Sequence, residues 1–387
     1  MRPDTTENKI AFIRKYMKAQ NAATGSDVDQ NANVSNKNIA TMAAELPKKD
    51  IIALNRELMR QKLTSMYGED LAAQYEKDLA HHIIYKHDET SIFPYCCSIS
   101  LYPFLLDGLT KIGGSSTAPQ HLDSFCGSFI NLIFLVAGQF AGATATPEFL
   151  TYFDHFARKD YGDNYINRLD EVVEFTARPS TLRDKLEHYF AQVTYTLNQP
   201  AGARGYQSIF WNIAYFDRDY FNSIFKDFVF PDGDEPCWET TKELQKLFMK
   251  WFNAERLKNI LTFPVETVNM HTVDGQYSDS ETADFMAEMW AEGASFFMYQ
   301  SDSVDSLSSC CRLRNGIEDN TFSYTLGAGG IETGSKGVIT LNLNRIVQDW
   351  TRESEEELPL YITAIVNRVH KYLTAFNEII WDSKNAG

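Results

Sequence analysis

Residues 337–344 read Gly-Val-Ile-Thr-Leu-Asn-Leu-Asn. Ile339, Leu341 and Leu343 alternate with Thr340, Asn342 and Asn344, the period of two expected of a strand whose faces differ. Further on the spacing changes. Ile362, Ile365, Val366, Val369, Leu373, Phe376 and Ile380 form the three-and-four stripe of an amphipathic helix. Ser354 and Glu357 fit a capping box ahead of it, and Pro359 falls in its first turn. Working back along the chain, the same alternation repeats. Residues 50–85 read as helix through Ile51, Leu54, Leu58 and Leu63. Residues 120–160 read as buried helix broken at Pro147, residues 165–197 as helix through Leu182, Leu186, Phe190 and Val193, and residues 238–258 as another. Short strands are expected within 91–101, 203–213 and 260–268. Long helices alternating with short buried strands predict an α/β fold with parallel connections. Residues 1–48 are polar and predict a short helix followed by an irregular arm, with the main body at 49–387.

The composition narrows the function. The chain has 387 residues, 44% hydrophobic, which suits a sizeable core in one large or two to three ordinary domains. Its 36 basic and 52 acidic residues give a net charge of −16. Such a surface repels phosphate backbones and anionic lipid, which argues against direct nucleic-acid binding or membrane attachment. No apolar run is long enough to span a bilayer, since Asn131 and Gln139 interrupt the nearest one, and the first residues do not form a secretory signal. Six cysteines without a CxxC spacing argue against a disulfide framework or zinc ribbon, and a cytoplasmic, reducing setting is expected.

Four of those cysteines form two adjacent pairs, Cys96-Cys97 and Cys310-Cys311. Cys126 sits in an apolar run and reads as a small core residue, and Cys237 follows Pro236 in a polar turn. Arg312 and Arg314 follow the second pair, and nearby positive charge favours the thiolate. Three readings remain open. The pairs are inert packing residues. They bind a metal, which adjacent positions disfavour because two neighbouring sulfurs rarely enter one tetrahedron. Or they meet in space as a redox or radical site, with Cys96 facing Cys310 or Cys311. His81, His82, His87 and Asp88 read as a solvated helix end. Gly113–Thr117 offers backbone N–H groups to a phosphate only weakly. The glycine-rich interval 321–336 predicts an exposed or ligand-facing loop.

An ordered set of strings carries a family likeness: YCCSISLYPF, GGSSTAPQHLDSFCGSF, NQPAGARGYQSIFWNIAYFD, LTFPVETV, SLSSCCRLRN, FSYTLGAGGIETGSKGVITLNLNRI and VHKYLTAFNE. Together they resemble the catalytic subunit of anaerobic (class III) ribonucleoside-triphosphate reductase, a glycyl-radical enzyme. The resemblance implies the first half of a ten-stranded α/β barrel with a helical N-terminal region and a finger loop whose tip is Ser308 to Asn315. It implies Cys311 as the thiyl-radical cysteine, with Cys310 as the alternative, and Cys96 as the second active-site cysteine on the first barrel strand. Asn342, Asn344 and Ser335 are expected to line the substrate site. The implied reaction replaces the ribose 2′-OH of a ribonucleoside triphosphate by hydrogen.

Departures from the family pattern set further expectations. Ser335-Lys336-Gly337 stands where formate-using members carry Asn-Leu-Gly. With the extra Cys310, this suggests a redoxin-type dithiol reductant in place of formate. The family's zinc cysteines and its Arg-x-x-Gly-Tyr radical segment do not occur in these residues, nor does a full ATP-cone, of which 1–48 is read as a remnant linker. The sequence is thus read as the N-terminal part of a split or truncated enzyme. It is expected to bind no cofactor itself and to need the glycyl-radical half and its zinc in trans. An S-adenosylmethionine, iron–sulfur activase would charge that half. Deoxynucleotide or ATP effectors and a homodimer of the complete enzyme are implied. The alternatives are a glycyl-radical enzyme of the pyruvate formate-lyase kind, which has no reason to keep Cys96, and an inactive fragment acting as an interaction protein.

Overall fold

A computed structural model describes residues 4–16, 18, 39–110, 115–174, 179–205, 207–310, 313–316, 333–354 and 356–385. The chain opens with helices α1 (Thr6–Tyr16), α2 (Ile39–Glu45), α3 (Lys48–Tyr67) and α4 (Glu69–Ala80), then β1 (Ile84–Lys86), β2 (Cys96–Ser98) and α5 (Tyr102–Asp107). Next come α6 (Leu122–Ala137), β3 (Thr144–Ala145), α7 (Phe149–Tyr161), the hairpin β4 (Val172–Val173) and β5 (Ser180–Thr181), and α8 (Leu182–Leu197). After these come β6 (Trp211–Phe216), α9 (Arg218–Phe225), α10 (Trp238–Lys258), β7 (Val265–Val273), β8 (Gln276–Tyr277), α11 (Ser280–Ala291) and β9 (Phe297–Ser301). The last elements are β10 (Ser306–Cys310), β11 (Leu313–Gly316), β12 (Thr333–Ser335), β13 (Ile339–Leu341), α12 (Leu343–Glu353) and α13 (Leu358–Asn385).

Five strands, β2, β3, β6, β7 and β9, run parallel in that order. The antiparallel edge strand β12 flanks β2, and β8 folds back on the end of β7. Asp274 (φ 51°) and Gly275 (φ 76°) make that turn, the Asp-Gly pair a two-residue hairpin favours. The strands curl into an open half-barrel. Helices cover one face. Trp211 of β6 meets Phe149 of α7 edge-on at 5.0 Å and Phe129 of α6 at 5.6 Å, and its Nε1 donates to Thr146 Oγ1 at 2.8 Å. α8 and α10 extend this aromatic layer through Phe190 and Phe248, 4.9 Å apart. Side chains set the helix starts. Thr181 and Asp184 form a capping box on α8, and Asp217 and Asp279 cap α9 and α11.

A second core lies apart from the first. Met59, Leu63 and Tyr75 of α3 and α4 pack with Val369, Tyr372 and Phe376 of α13. At its centre the buried Asp78 carboxylate accepts two bonds from Arg368 (2.7 and 2.9 Å) and one from the Tyr372 hydroxyl (2.9 Å). The N-terminal helix α1 reaches α3, where the Asp50 carboxylate accepts from the Asp4 N–H and from Lys9.

Several expected boundaries move. The helix over 50–85 divides at Gly68, and the run over 165–197 is helical in α8 only from Leu182. The strand over 337–344 shortens to β13, which pairs with β1 in a separate two-stranded sheet. Its alternation continues into α12 because Leu343 and Asn344 also suit a helix start once Asn342 caps it. Ser354 is the C-cap of α12 and its hydroxyl accepts from Glu356 N–H, so the expected capping box with Glu357 does not form. Part of the glycine-rich interval, 333–335, is the edge strand β12 where a loop was expected, because it completes the ladder beside β2.

Beneath the helices, Glu266 of β7 is fully buried, accepts from the Tyr215 hydroxyl, and lies 3.7 Å from Arg256. Burial pushes its carboxyl up to about 7 from an ordinary 4.5. Between those values the folded chain holds a proton that the unfolded chain releases, so this contribution is full below pH 4.5 and is lost as pH rises through about 7. Asp154, raised by burial to about 6, acts with the same sign. Urea unfolding should therefore show Glu266→Gln gaining on the parent chain from pH 5 to 8, by up to about 1.4 kcal/mol per pH unit. A pH-independent difference between the two would contradict a neutral buried Glu266.

Candidate active site

The three residues of β2 are all buried, yet they face different surroundings. Cys97 belongs to the large core beneath the helices, and its thiol contacts Thr144 Oγ1 at 3.8 Å. Cys96 turns to the opposite, inner face, where it packs with Ala145 and beside Tyr95 and Ala143. Cross-strand register carries that inner face along the sheet. Ser98 pairs with Ala145, Ala145 with Asn212, and Ala214 with Thr267, with Asn269 two residues further on. These side chains are small or polar, unlike the aromatic layer behind them. The buried hydroxyls of Ser98 and Thr267 have no hydrogen-bond partner. Unsatisfied buried hydroxyls are costly.

Cys96 is held closely. The Ala143 N–H donates to its Sγ at 3.2 Å. Ser335 of β12 lies directly opposite Cys96 in the ladder, and the Tyr95 N–H donates to the Ser335 carbonyl at 2.7 Å. The buried Arg204 donates to the carbonyls of Ala137 (3.4 Å), the last residue of α6, and of Phe140 beyond it. Its guanidinium lies over the Phe210 ring at 4.8 Å. Burial lowers the Arg204 guanidinium from its ordinary value, and its charge is felt at Cys96 and Cys97.

Against this face stands the β10–β11 hairpin, packed on β6 and β7. Leu307 is fully buried in the main core. The Asn269 side chain accepts from the Ser308 N–H at 2.7 Å and donates to the Ser308 carbonyl at 3.2 Å. β10 ends at Cys310. The strand bearing Cys96 and the strand that ends at Cys310 thus both belong to the inner face of the sheet, the first as part of it and the second held to it through Asn269.

Residues 45–387 match the family of anaerobic ribonucleoside-triphosphate reductase. This chain belongs to that family. Its fold is similar to the anaerobic ribonucleotide reductase from Thermotoga maritima with dATP bound in the specificity site, with a TM-score of 0.76 at 26% identity over 98% of this chain and 59% of that one. The Thermotoga maritima enzyme in complex with dATP and CTP gives 0.75 at 27% identity over 99% and 58%. Another structure, described as anaerobic ribonucleotide reductase, gives 0.76 at 27% over 98% and 57%. This chain spans about three fifths of the length of these structures. No curated protein sequence matches it.

The reductase-family half-barrel places the expected site residues unequally. Cys96 and Ser335 stand side by side on the inner face and its edge strand. Cys310 ends β10, and Cys311 lies outside the described residues, as do 317–332 and residues 111–114 of the weak phosphate loop. Asn342 and Asn344 were expected on the polar face of a strand. Asn342 instead caps α12 by accepting the Arg345 N–H at 3.1 Å, and Asn344 accepts from Gln348 at 2.7 Å in that helix's first turn. The strand ends sooner because a helix start satisfies the Asn342 side chain. Cys126 is fully buried, and burial pushes its thiol well up, as suits a packing residue. A cluster outside the cysteine arrangement joins His155, Asp232 and Asp234. Lys159 already pairs with Asp232 at 3.1 Å, and the His155 ring stacks on Phe230 at 3.9 Å, so it reads as an ion-pair cluster. Asn269 and Arg204 escaped sequence reasoning. The signal for Asn269 was available: an amide in the middle of a buried strand needs a partner.

Gly142 adjoins Cys96. A Cβ there would lie 2.8 Å from Cys96 Sγ and 2.7 Å from the Tyr95 carbonyl, whereas at Gly127 in α6 it would meet nothing within 4 Å. Gly142→Ala should destabilise the chain by about 1–3 kcal/mol, and Gly127→Ala should leave stability equal or raise it by up to about 1 kcal/mol. Paired urea titrations check this, and equal stability of both variants would contradict the close packing at Cys96.

Proposed function

We propose that this chain provides the cysteine-bearing half-barrel of an anaerobic ribonucleoside-triphosphate reductase and reduces the ribose of its substrate by thiyl-radical chemistry. The observation that carries this reading is the inward Cys96 beside Ser335, facing the sheet surface on which the Cys310-ending hairpin is pinned. The unsatisfied Ser98 and Thr267 hydroxyls suit a ligand rich in hydroxyl groups. The Thermotoga maritima relative has been seen with dATP and CTP, and we infer a ribonucleoside triphosphate as substrate and a deoxynucleotide or ATP as effector here. A glycyl radical outside these residues, installed by an S-adenosylmethionine activase, would supply the hydrogen-atom acceptor that readies Cys311. Zinc is assigned to the same glycyl-radical half, and the complete enzyme to a homodimer.

In this reading the Cys311 sulfur takes the 3′-hydrogen atom, and the 2′-hydroxyl leaves as water. Cys96 gives a hydrogen to C2′, and the 3′-hydrogen returns from Cys311. S–H and activated C–H bonds are close in strength, so the first step is reversible. Cys310 is the second thiol, and Cys96 and Cys310 together close to a disulfide. The net exchange is one C–O bond for one C–H bond, with one water released and two S–H groups converted to one S–S bond. A redoxin-type dithiol then reopens the disulfide. The sheet behind and the hairpin in front exclude water from the intermediates and hold the reacting atoms in line.

The test is anaerobic turnover of the radical-charged complete enzyme under limiting dithiol, with peptide mapping of disulfides. The expected result is a Cys96 disulfide after one turnover and a loss of roughly a thousandfold or more in Cys96→Ser. Turnover with formate as sole reductant would overturn the dithiol assignment, and full activity of Cys96→Ser would overturn the site.

A further inference from the structure

We propose that Asn269 is a positioning residue whose side-chain amide sets the register at which the β10–β11 hairpin, with Cys310 at the end of β10, stands against the sheet. The proposal rests on the function above for the hairpin's purpose, while the register itself can be measured independently.

β10 pairs with β11 in a two-stranded sheet and is not a member of the half-barrel ladder. No strand pairing among the described residues therefore fixes how far the hairpin projects along β7. One planar side chain engages β10 at Ser308. Asn269 Oδ1 accepts from the Ser308 N–H at 2.7 Å, and its Nδ2 donates to the Ser308 carbonyl at 3.2 Å, with a longer approach of 3.4 Å to the Tyr215 carbonyl. Both backbone groups of a single residue are thus engaged, as in one rung of a β-ladder. Asn269 is fully buried, and so is the neighbouring Leu307. A buried amide or backbone group left unpaired costs about 1–3 kcal/mol, so the rung resists slipping.

The register matters because of the bulge beyond the rung. Ser308 pairs with Arg314, but the next pair is Cys310 with Leu313, which leaves Ser309 as an extra residue. Such a bulge re-aims the strand beyond it and recurs beside active sites. The tether thus sits immediately before the bulge, and the bulge immediately before the cysteine pair. A slip of one residue moves a strand by about 3.3 Å and exchanges its faces. Hydrogen-atom transfer needs reacting atoms about 3–3.5 Å apart, so a slipped hairpin would present the wrong cysteine or none.

The side-chain type is specific. Aspartate keeps an acceptor for the Ser308 N–H but sets a carboxylate against the Ser308 carbonyl. Alanine offers neither group. Glutamine carries the amide one methylene further out.

The test uses the full chain with Asn269→Ala and with Asn269→Asp, the latter isosteric in case the former fails to fold. Hydrogen exchange is read at the Ser308 amide against amides of β6, and a mild thiol oxidant traps disulfides that are mapped by mass spectrometry. Exchange at Ser308 should rise about tenfold or more in Asn269→Ala, with a smaller rise in Asn269→Asp. The parent should join Cys96 to one hairpin cysteine, while both variants divide the product between Cys310 and Cys311. A purely structural role would lower the urea midpoint without changing that partner choice. Unchanged Ser308 exchange in both variants, or an unchanged partner cysteine, overturns the proposal. If the parent forms no Cys96 disulfide while Ser308 protection still falls in the variants, the tether stands and the proposed function fails.

Discussion

A strand turns successive side chains to opposite faces, and in this protein that constraint sends two adjacent cysteines into different surroundings. Cys97 goes to the aromatic layer beneath the helices and Cys96 to the inner face. The parallel register then propagates the division from β2 to β7, so that Trp211 and Glu266 lie beneath the helices while Asn212 and Thr267 lie within. The large core is not merely scaffolding. By filling the outer face with rings that admit no shift, it fixes which atoms of each strand are left to face the hairpin.

The helices and the α/β class were legible because apolar spacing reports burial directly, and α10 matches its expected span over 238–258. The order of strands was not, since β2 and β3 are three and two residues long and carry no period of their own. Asn342 shows how a true local pattern misleads. Alternating Leu and Asn is compatible with a strand until the first Asn caps a helix, and only the tertiary path decides between them. Cys96 was singled out through its family likeness. Its tight setting was not, because Gly142 and Ser335 approach it from distant parts of the chain.

Two buried asparagines perform related tasks in series. Asn198 accepts from the Thr262 and Phe263 N–H groups at 3.2 and 3.1 Å and donates to the Phe263 carbonyl at 2.6 Å, which fixes the approach to β7. Asn269, midway along β7, then engages β10. An amide side chain carries a donor and an acceptor in one plane, so it can stand in for a missing strand wherever two segments meet outside a ladder. Such links are specific in a way that apolar contacts are not, because only one alignment satisfies both groups.

The separation of the two cores bears on how the chain is made. The large core draws on residues from Cys97 to Leu307. The smaller one joins α3 and α4 to α13, through partners such as Asp78 and Arg368 that are 290 residues apart. A ribosome releases the N-terminal part first and folding proceeds by units. The barrel strands can thus bury their aromatic layer while α3 and α4 still expose Met59, Leu63 and Tyr75 to solvent. The helices synthesised early are among the last to find their packing partner, and a nascent chain of this protein carries an uncovered apolar face until α13 emerges.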